Sequence, residues 1–120
     1  MGTDVTGGES PRDTLRRLRD QVAAEVVTLD DTLRGLFEAS RASNADDEHD
    51  PEGTTIAFER AQLTAVRDAA RSRLADIELA LERVDSGAYG VCEQCGQPIP
   101  AERLAVRPSA RTCVGCADRR

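Results

Sequence analysis

Two stretches of this chain set their aliphatic residues at the same intervals. Leu15, Leu18, Val22, Val26, Leu29, Leu33 and Leu36 are spaced 3, 4, 4, 3, 4 and 3 residues apart, and Leu63, Val66, Ala70, Leu74, Ile77, Leu81 and Val84 repeat that series step for step. Seven positions over 21 residues average a 3.5-residue period, that of helices meeting along a narrow seam, with one local slip of phase where two fours adjoin. The pattern predicts two long helices made to pack on each other.

Between them Ser43 to Gly53 reads SNADDEHDPEG, with five acids, no base, a proline and a glycine. Neither helix is expected to run smoothly through such a segment, so it reads as the turn of an antiparallel hairpin. Periodicity alone also fits a parallel homodimer; the short linker favours the hairpin. Ser10, Pro11 and Asp13 supply an N-cap hydroxyl, a proline where no amide partner is needed, and an acid in the first turn. Helix 1 is therefore expected to start there, after a flexible tail at residues 1–9 that has three glycines and no apolar period. Helix 2 is expected from near Thr54 or Thr55 to near Ser86, with Gly87 free to take the left-handed conformation that closes helices. A helix of about 30 residues is about 45 Å long, so the acidic turn is expected far from the C-terminal end.

Composition narrows the function. The 120 residues suffice for one small domain, and two Phe, one Tyr and no Trp leave little for a broad globular centre, so an elongated, non-enzymatic protein is expected. The net charge of -6, with no lysine, opposes binding to nucleic acid through phosphate neutralisation. A protein partner fits better. No apolar run approaches the roughly 20 residues that span a bilayer, and MGTDVTGGES has neither the basic start nor the apolar centre of a signal peptide. A cytoplasmic location without membrane contact is expected. The letters MGTDVT also fit a myristoylation pattern, a match of low specificity.

Every cysteine belongs to one of two pairs, Cys92-x-x-Cys95 and Cys113-x-x-Cys116, with 17 residues between the pairs. That spacing falls within the pattern of four-cysteine zinc sites. Zn²⁺ takes four thiolates tetrahedrally, and a two-residue gap lets each loop aim two sulfurs at one ion. Disulfides or a dithiol redox centre are the alternatives; the signal-free start implies a reducing compartment, and one redox pair needs no second pair at metal spacing. Four protein sulfurs leave no open position for water, so one structural Zn²⁺ is expected, holding a lobe too small to fold by burial alone. Arg103, Arg107, Arg111, Arg119 and Arg120 surround the site. They either compensate the two surplus negative charges of a four-thiolate zinc or contact an acidic partner. His49, the single histidine, reads as exposed turn, and Tyr89 and Phe58 read as packing residues against the zinc lobe and near the turn. No Ser/His/Asp set or Gly-rich phosphate loop is present, so no catalytic site is expected.

Tyr89-Gly90-x-Cys92-x-x-Cys95-Gly96, then Ile99, Arg103-Leu104, Arg107-Pro108 and Cys113-x-x-Cys116, resembles the DksA/TraR family of bacterial transcription regulators. The likeness is specific over residues 81–117 and architectural over 11–80. It implies an all-α protein: an antiparallel coiled-coil hairpin at 10–88, its acidic tip near 43–53, and a C4-type zinc-finger lobe at 89–120. It also implies a monomer that binds RNA polymerase directly, the hairpin entering the secondary channel with its tip near the catalytic centre. The family's tip carries Asp-x-x-Asp-x-Ala, which Asp47, Asp50 and Glu52 match with the alanine replaced. Counting back from Cys92 without gaps would instead place His49, Glu52 and Thr54 there; the gapped match keeps both acids, whose hard oxygens suit a Mg²⁺-dependent centre. An acidic turn also serves solubility alone.

The resemblance further implies that Arg103 and Arg107 are candidate contacts to polymerase or nucleotide. Family members can bind ppGpp through basic residues near the zinc lobe. Arg107 matches one, but Asp76 and Ala117 stand at the others, so ppGpp binding is expected to be weak or absent. Longer members continue past the last cysteine as a helix, whereas four residues follow Cys116 here, so docking is expected to differ. Three other functions remain open on the residues: a coiled-coil adaptor or homodimer with zinc as a clamp, a zinc-finger DNA binder, and a thiol oxidoreductase.

Overall fold

A computed structural model of the protein describes residues 9–44 and 51–117. Its order is α1 (Pro11–Asn44), α2 (Pro51–Ser86), α3 (Ala101–Val106) and α4 (Val114–Ala117). There is no strand among the described residues, only an isolated antiparallel bridge between Val91 and Pro98. The two long helices form the hairpin, and the cysteines cluster C-terminal to it. Among the described residues no helix is long and apolar enough to cross a membrane.

The start of α1 is built as its letters predict. Ser10 Oγ accepts the Asp13 amide at 3.1 Å, and Thr14 N–H donates to the Ser10 carbonyl. Glu9 adds a second clamp by accepting from Arg17 Nη2 at 2.5 Å and from Thr14 Oγ1 at 3.1 Å. The Arg17 guanidinium accordingly holds the Glu9 carboxyl below its usual range.

α2 begins at Pro51, three to four residues before the expected start near Thr54 or Thr55. Proline fits a first helical position because its missing N–H has no partner there and its φ is already helical, so Pro51 opens the helix rather than ending the turn. Glu52 and Gly53 thus fall in the first turn of α2. α1 likewise runs through Asn44, beyond the expected turn start at Ser43. Asp47, Asp50 and His49 lie outside the described residues.

The C-terminal end of α2 closes as anticipated. Gly87 has a φ of 84°, its amide donates to the Val84 carbonyl, and the Ala88 amide donates to that of Arg83 at 2.8 Å. These paired bonds satisfy carbonyls that the last turn leaves open, and the positive φ they require favours glycine.

The chain divides into two compact units, Gln21–Arg73 and Met1–Asp20 with Leu74–Arg120. In the first, Glu25 pairs with Arg73, Asp30 with Arg67, and the Arg60 guanidinium lies 4.7 Å from the Phe37 ring centre. The α1 numbers rise as the α2 numbers fall, which is antiparallel pairing within one chain. Among the described residues of this unit Val22, Leu33 and Ala70 are the buried apolar ones. In the second unit Arg12 at the start of α1 pairs with Asp85 at the end of α2, and Leu15, Ile77, Ala80, Cys92, Ile99 and Ala110 are buried.

The seam departs from the aliphatic count at one clear place. Val66 is 48% exposed, whereas Arg67, partly buried, lies in the seam with Asp30 at 2.8 Å. The α2 seam therefore runs Leu63, Arg67, Ala70, Leu74, Ile77 in regular fours and threes. In α2 the phase slip disappears once Arg67 takes the place of Val66, where an ion pair replaces an apolar contact. Phe58 is also 64% exposed, so it is not the packing residue its type suggests.

Candidate metal centre

Three short devices bring the cysteines together. The first pair sits in a tight knuckle: Cys92 N–H donates to the Gln97 carbonyl at 2.8 Å, Gly96 N–H donates back to the Cys92 carbonyl at 2.9 Å, and Gln94 N–H faces Cys92 Sγ at 3.4 Å. The second pair straddles the start of α4, where Ala117 N–H donates to the Cys113 carbonyl. The amide of Glu93, inside the first pair, donates to the Arg111 carbonyl at 2.9 Å and so fastens one knuckle to the other. Tyr89 Oη donates to the Pro108 carbonyl at 2.7 Å, and Arg103 Nε donates to that of Thr112 at 2.8 Å. Tyr89 is thus a packing residue of this lobe, as its position suggests.

The four sulfurs lie within 4.8 Å of one another, with Cys95 and Cys113 Sγ at 3.9 Å. No pair among them is a disulfide. Four sulfurs each about 2.3 Å from a central zinc would stand about 3.8 Å apart, so the cluster fits one tetrahedral ion with little movement. Cys92 is 1% exposed, which shields that side of the site from water. Its thiol is drawn down to about 6, first by the Cys95 amide and further by those of Cys113 and Gln94, all of which favour the thiolate. Cys116 is pushed up to about 12, first by hydrogen bonding with Cys113 and then with Cys92. Clustered thiolates repel, so without a cation the last proton is hard to remove; a dication supplies the missing charge. The four cysteines named from spacing are therefore the ones the fold converges, and they can hold one Zn²⁺.

A cavity of about 330 Å³ adjoins the site, lined among others by Asp76, Arg103, Arg107, Arg111, Cys116 and Ala117. Arg103 and Arg107, read from sequence as candidate contacts, share this cavity. Asp76 lines the same cavity as the arginines. Spacing did not point to Arg83, in the last turn of α2, whose Nη2 donates to the carbonyls of Ala88 and Val91. The signal available was a basic residue at a helix C-terminus, where cations are favoured.

Residues 87–120 match the family described as "Prokaryotic dksA/traR C4-type zinc finger". The chain is 41% identical over 61 residues to the RNA polymerase-binding transcription factor DksA of Caulobacter vibrioides, covering 51% of this chain and 43% of that protein. It is 38% identical over 77 residues to general stress protein 16O of Bacillus subtilis, covering 64% of this chain and 47% of that one. The chain thus spans less than half the length of these two curated relatives. Its structure resembles that of transcription factor DksA2 from Pseudomonas aeruginosa, with a TM-score of 0.73 and 28% identity over 91% of this chain and 78% of that one.

Proposed function

The chain is a member of the prokaryotic DksA/TraR C4-type zinc-finger family, and from that premise we propose that it is a transcription regulator acting by direct contact with RNA polymerase. The observation that carries this reading is the likeness to DksA2 over 91% of the chain, hairpin and zinc lobe together. A relative named as an RNA polymerase-binding transcription factor, 41% identical over 61 residues, points the same way.

In this reading the chain is a cytoplasmic monomer with no enzymatic activity of its own, divided into a tail (1–9), a hairpin (10–88) and a zinc lobe (89–120). The hairpin enters the secondary channel of the polymerase and presents Asp47, Asp50 and Glu52 near the catalytic centre. The zinc lobe positions the base, with Arg103 and Arg107 toward the partner. Carboxylates suit the role because hard oxygens interact with Mg²⁺. The alarmone ppGpp binds weakly or not at all, because Asp76 places a negative charge in the arginine-lined cavity. A net charge of -6 argues against a DNA-binding zinc finger.

The test is co-purification of the zinc-loaded chain with core polymerase at low salt, paired with transcription from a defined template. Asp47→Asn and Asp50→Asn are expected to retain binding and change transcript yield, whereas replacement of residues 45–50 by a neutral linker abolishes the effect on yield. No association at low salt refutes the polymerase reading; association with unchanged yield in all three variants refutes the acidic tip.

A further inference from the structure

Arg83 does more than end a helix. Its Nη2 donates to the Val91 carbonyl at 2.6 Å and the Ala88 carbonyl at 3.2 Å, the segment that delivers the chain from α2 to Cys92. Its Nη1 faces Glu93 Oε2 at 3.9 Å. Glu93 lies between Cys92 and Cys95, and the same oxygen faces Arg111 Nε at 3.5 Å, two residues before Cys113. A guanidinium, a carboxylate and a second guanidinium thus join the end of α2 to both cysteine pairs. The Arg83 side chain is 22% exposed, so packing holds it in place.

We infer that Arg83 is a positioning residue for the metal: it sets the backbone leading into Cys92 before the ion arrives and couples metal occupancy to the order of the last turn of α2. The physical reason is conformational. Aiming four thiolates at one point costs backbone entropy, and a guanidinium that already holds the Ala88 and Val91 carbonyls removes part of that cost. Arginine suits the task because its planar fork serves two carbonyls and a carboxylate together; a lysine ammonium is a single point on a flexible stem. The trio carries one net positive charge beside a centre with two surplus negative charges, which also favours the loaded form. The coupling is reciprocal: what the ordered helix end gives to the metal, the metal returns to the helix end. This inference concerns the metal site alone and holds whether or not the chain binds polymerase.

The test uses the full chain. Zinc affinity is measured by competition with a chromophoric chelator, and the ligand set is read from the absorption of the Co²⁺ form. Arg83→Gln is expected to weaken zinc binding by about 10- to 100-fold while keeping a four-thiolate Co²⁺ spectrum. Arg83→Lys falls between the two. Arg73→Gln, which removes the partner of Glu25 in the other unit, leaves the affinity as it was. Zinc is also expected to slow hydrogen exchange at the Ala88 and Tyr89 amides, which donate to the Arg83 carbonyl, and to do so less in Arg83→Gln. An Arg83→Gln affinity within about twofold of the parent, or an equal loss in Arg73→Gln, overturns the inference, since outer residues that position a metal shift affinity well beyond that. Where Arg83→Gln does not fold, Arg83→Lys decides. It keeps the positive charge but loses the fork that holds both carbonyls, so a loss of about threefold or more upholds the inference and a smaller change overturns it.

Discussion

Leu15 has no exposed surface, and its side chain is among the largest that are fully buried among the described residues. Leu15→Ala is expected to cost about 2–5 kcal/mol, the transfer free energy of the lost methyl groups plus the cavity left behind, read as a lower midpoint in denaturant. Tyr89→Phe removes one hydrogen bond, to the Pro108 carbonyl, and leaves the ring in place. A loss of about 0.5–1.5 kcal/mol in lobe stability is expected. Burial raises the Tyr89 phenol above its usual value, so its contribution is complete below the free phenol value and is lost as pH rises through the raised one. Single residue types were the least legible level in the sequence. Phe58 is a large aromatic that stays exposed, and Val66 yields its place to Arg67, because hydrophobicity says what a side chain prefers and not whether a neighbour is there to cover it.

At the scale of the helices the Asp30 cluster decides most. Asp30 Oδ1 accepts from Arg67 Nη1 at 2.8 Å, and Arg71 Nη2 stands 3.4 Å from Oδ2. The Arg67 hydrogen bond is the largest cause holding the Asp30 carboxyl below its usual range, with Arg71 adding to it. A carboxyl lowered in the folded state contributes stability that is complete above its unfolded value, of about 4, and is lost as pH falls through the lowered one. The parent is therefore expected to lose more melting temperature on acidification from about pH 7 to about pH 3 than Asp30→Asn, which has no carboxyl to protonate there. Equal losses in the two proteins would mean that the pair is idle. A partly buried ion pair in a seam also discriminates between registers, since a shifted helix would leave the Arg67 charge against aliphatic side chains. The existence of both helices, and the closures at Ser10 and Gly87, were legible in the letters because caps and apolar periods act within a few residues. The start of α2 at Pro51 was not, because a proline both breaks a helix from within and suits its first position.

For the molecule as a whole the metal is the largest single lever. Removal of zinc by a chelator is expected to unfold the lobe around Cys92, Cys95, Cys113 and Cys116 while the Gln21–Arg73 unit keeps its helical signal in circular dichroism. Where the proposed association with polymerase is found, its loss in the same preparation would tie the lobe to docking, and full retention would limit zinc to folding. Both the zinc site and the hairpin could be read from one chain, since two-residue gaps and a 3.5-residue period encode geometry in plain spacing. Spacing resolves a helix face only to about one residue, a turn of about 100°. Where the Arg83 guanidinium ends depended on the path of the chain just after Gly87, which brings carbonyls five and eight residues on within its reach. Whether Val66 or Arg67 faces the seam depended on a partner distant in the chain, the Asp30 carboxylate on α1. That partner becomes a neighbour only when the chain doubles back, so no local pattern could announce it.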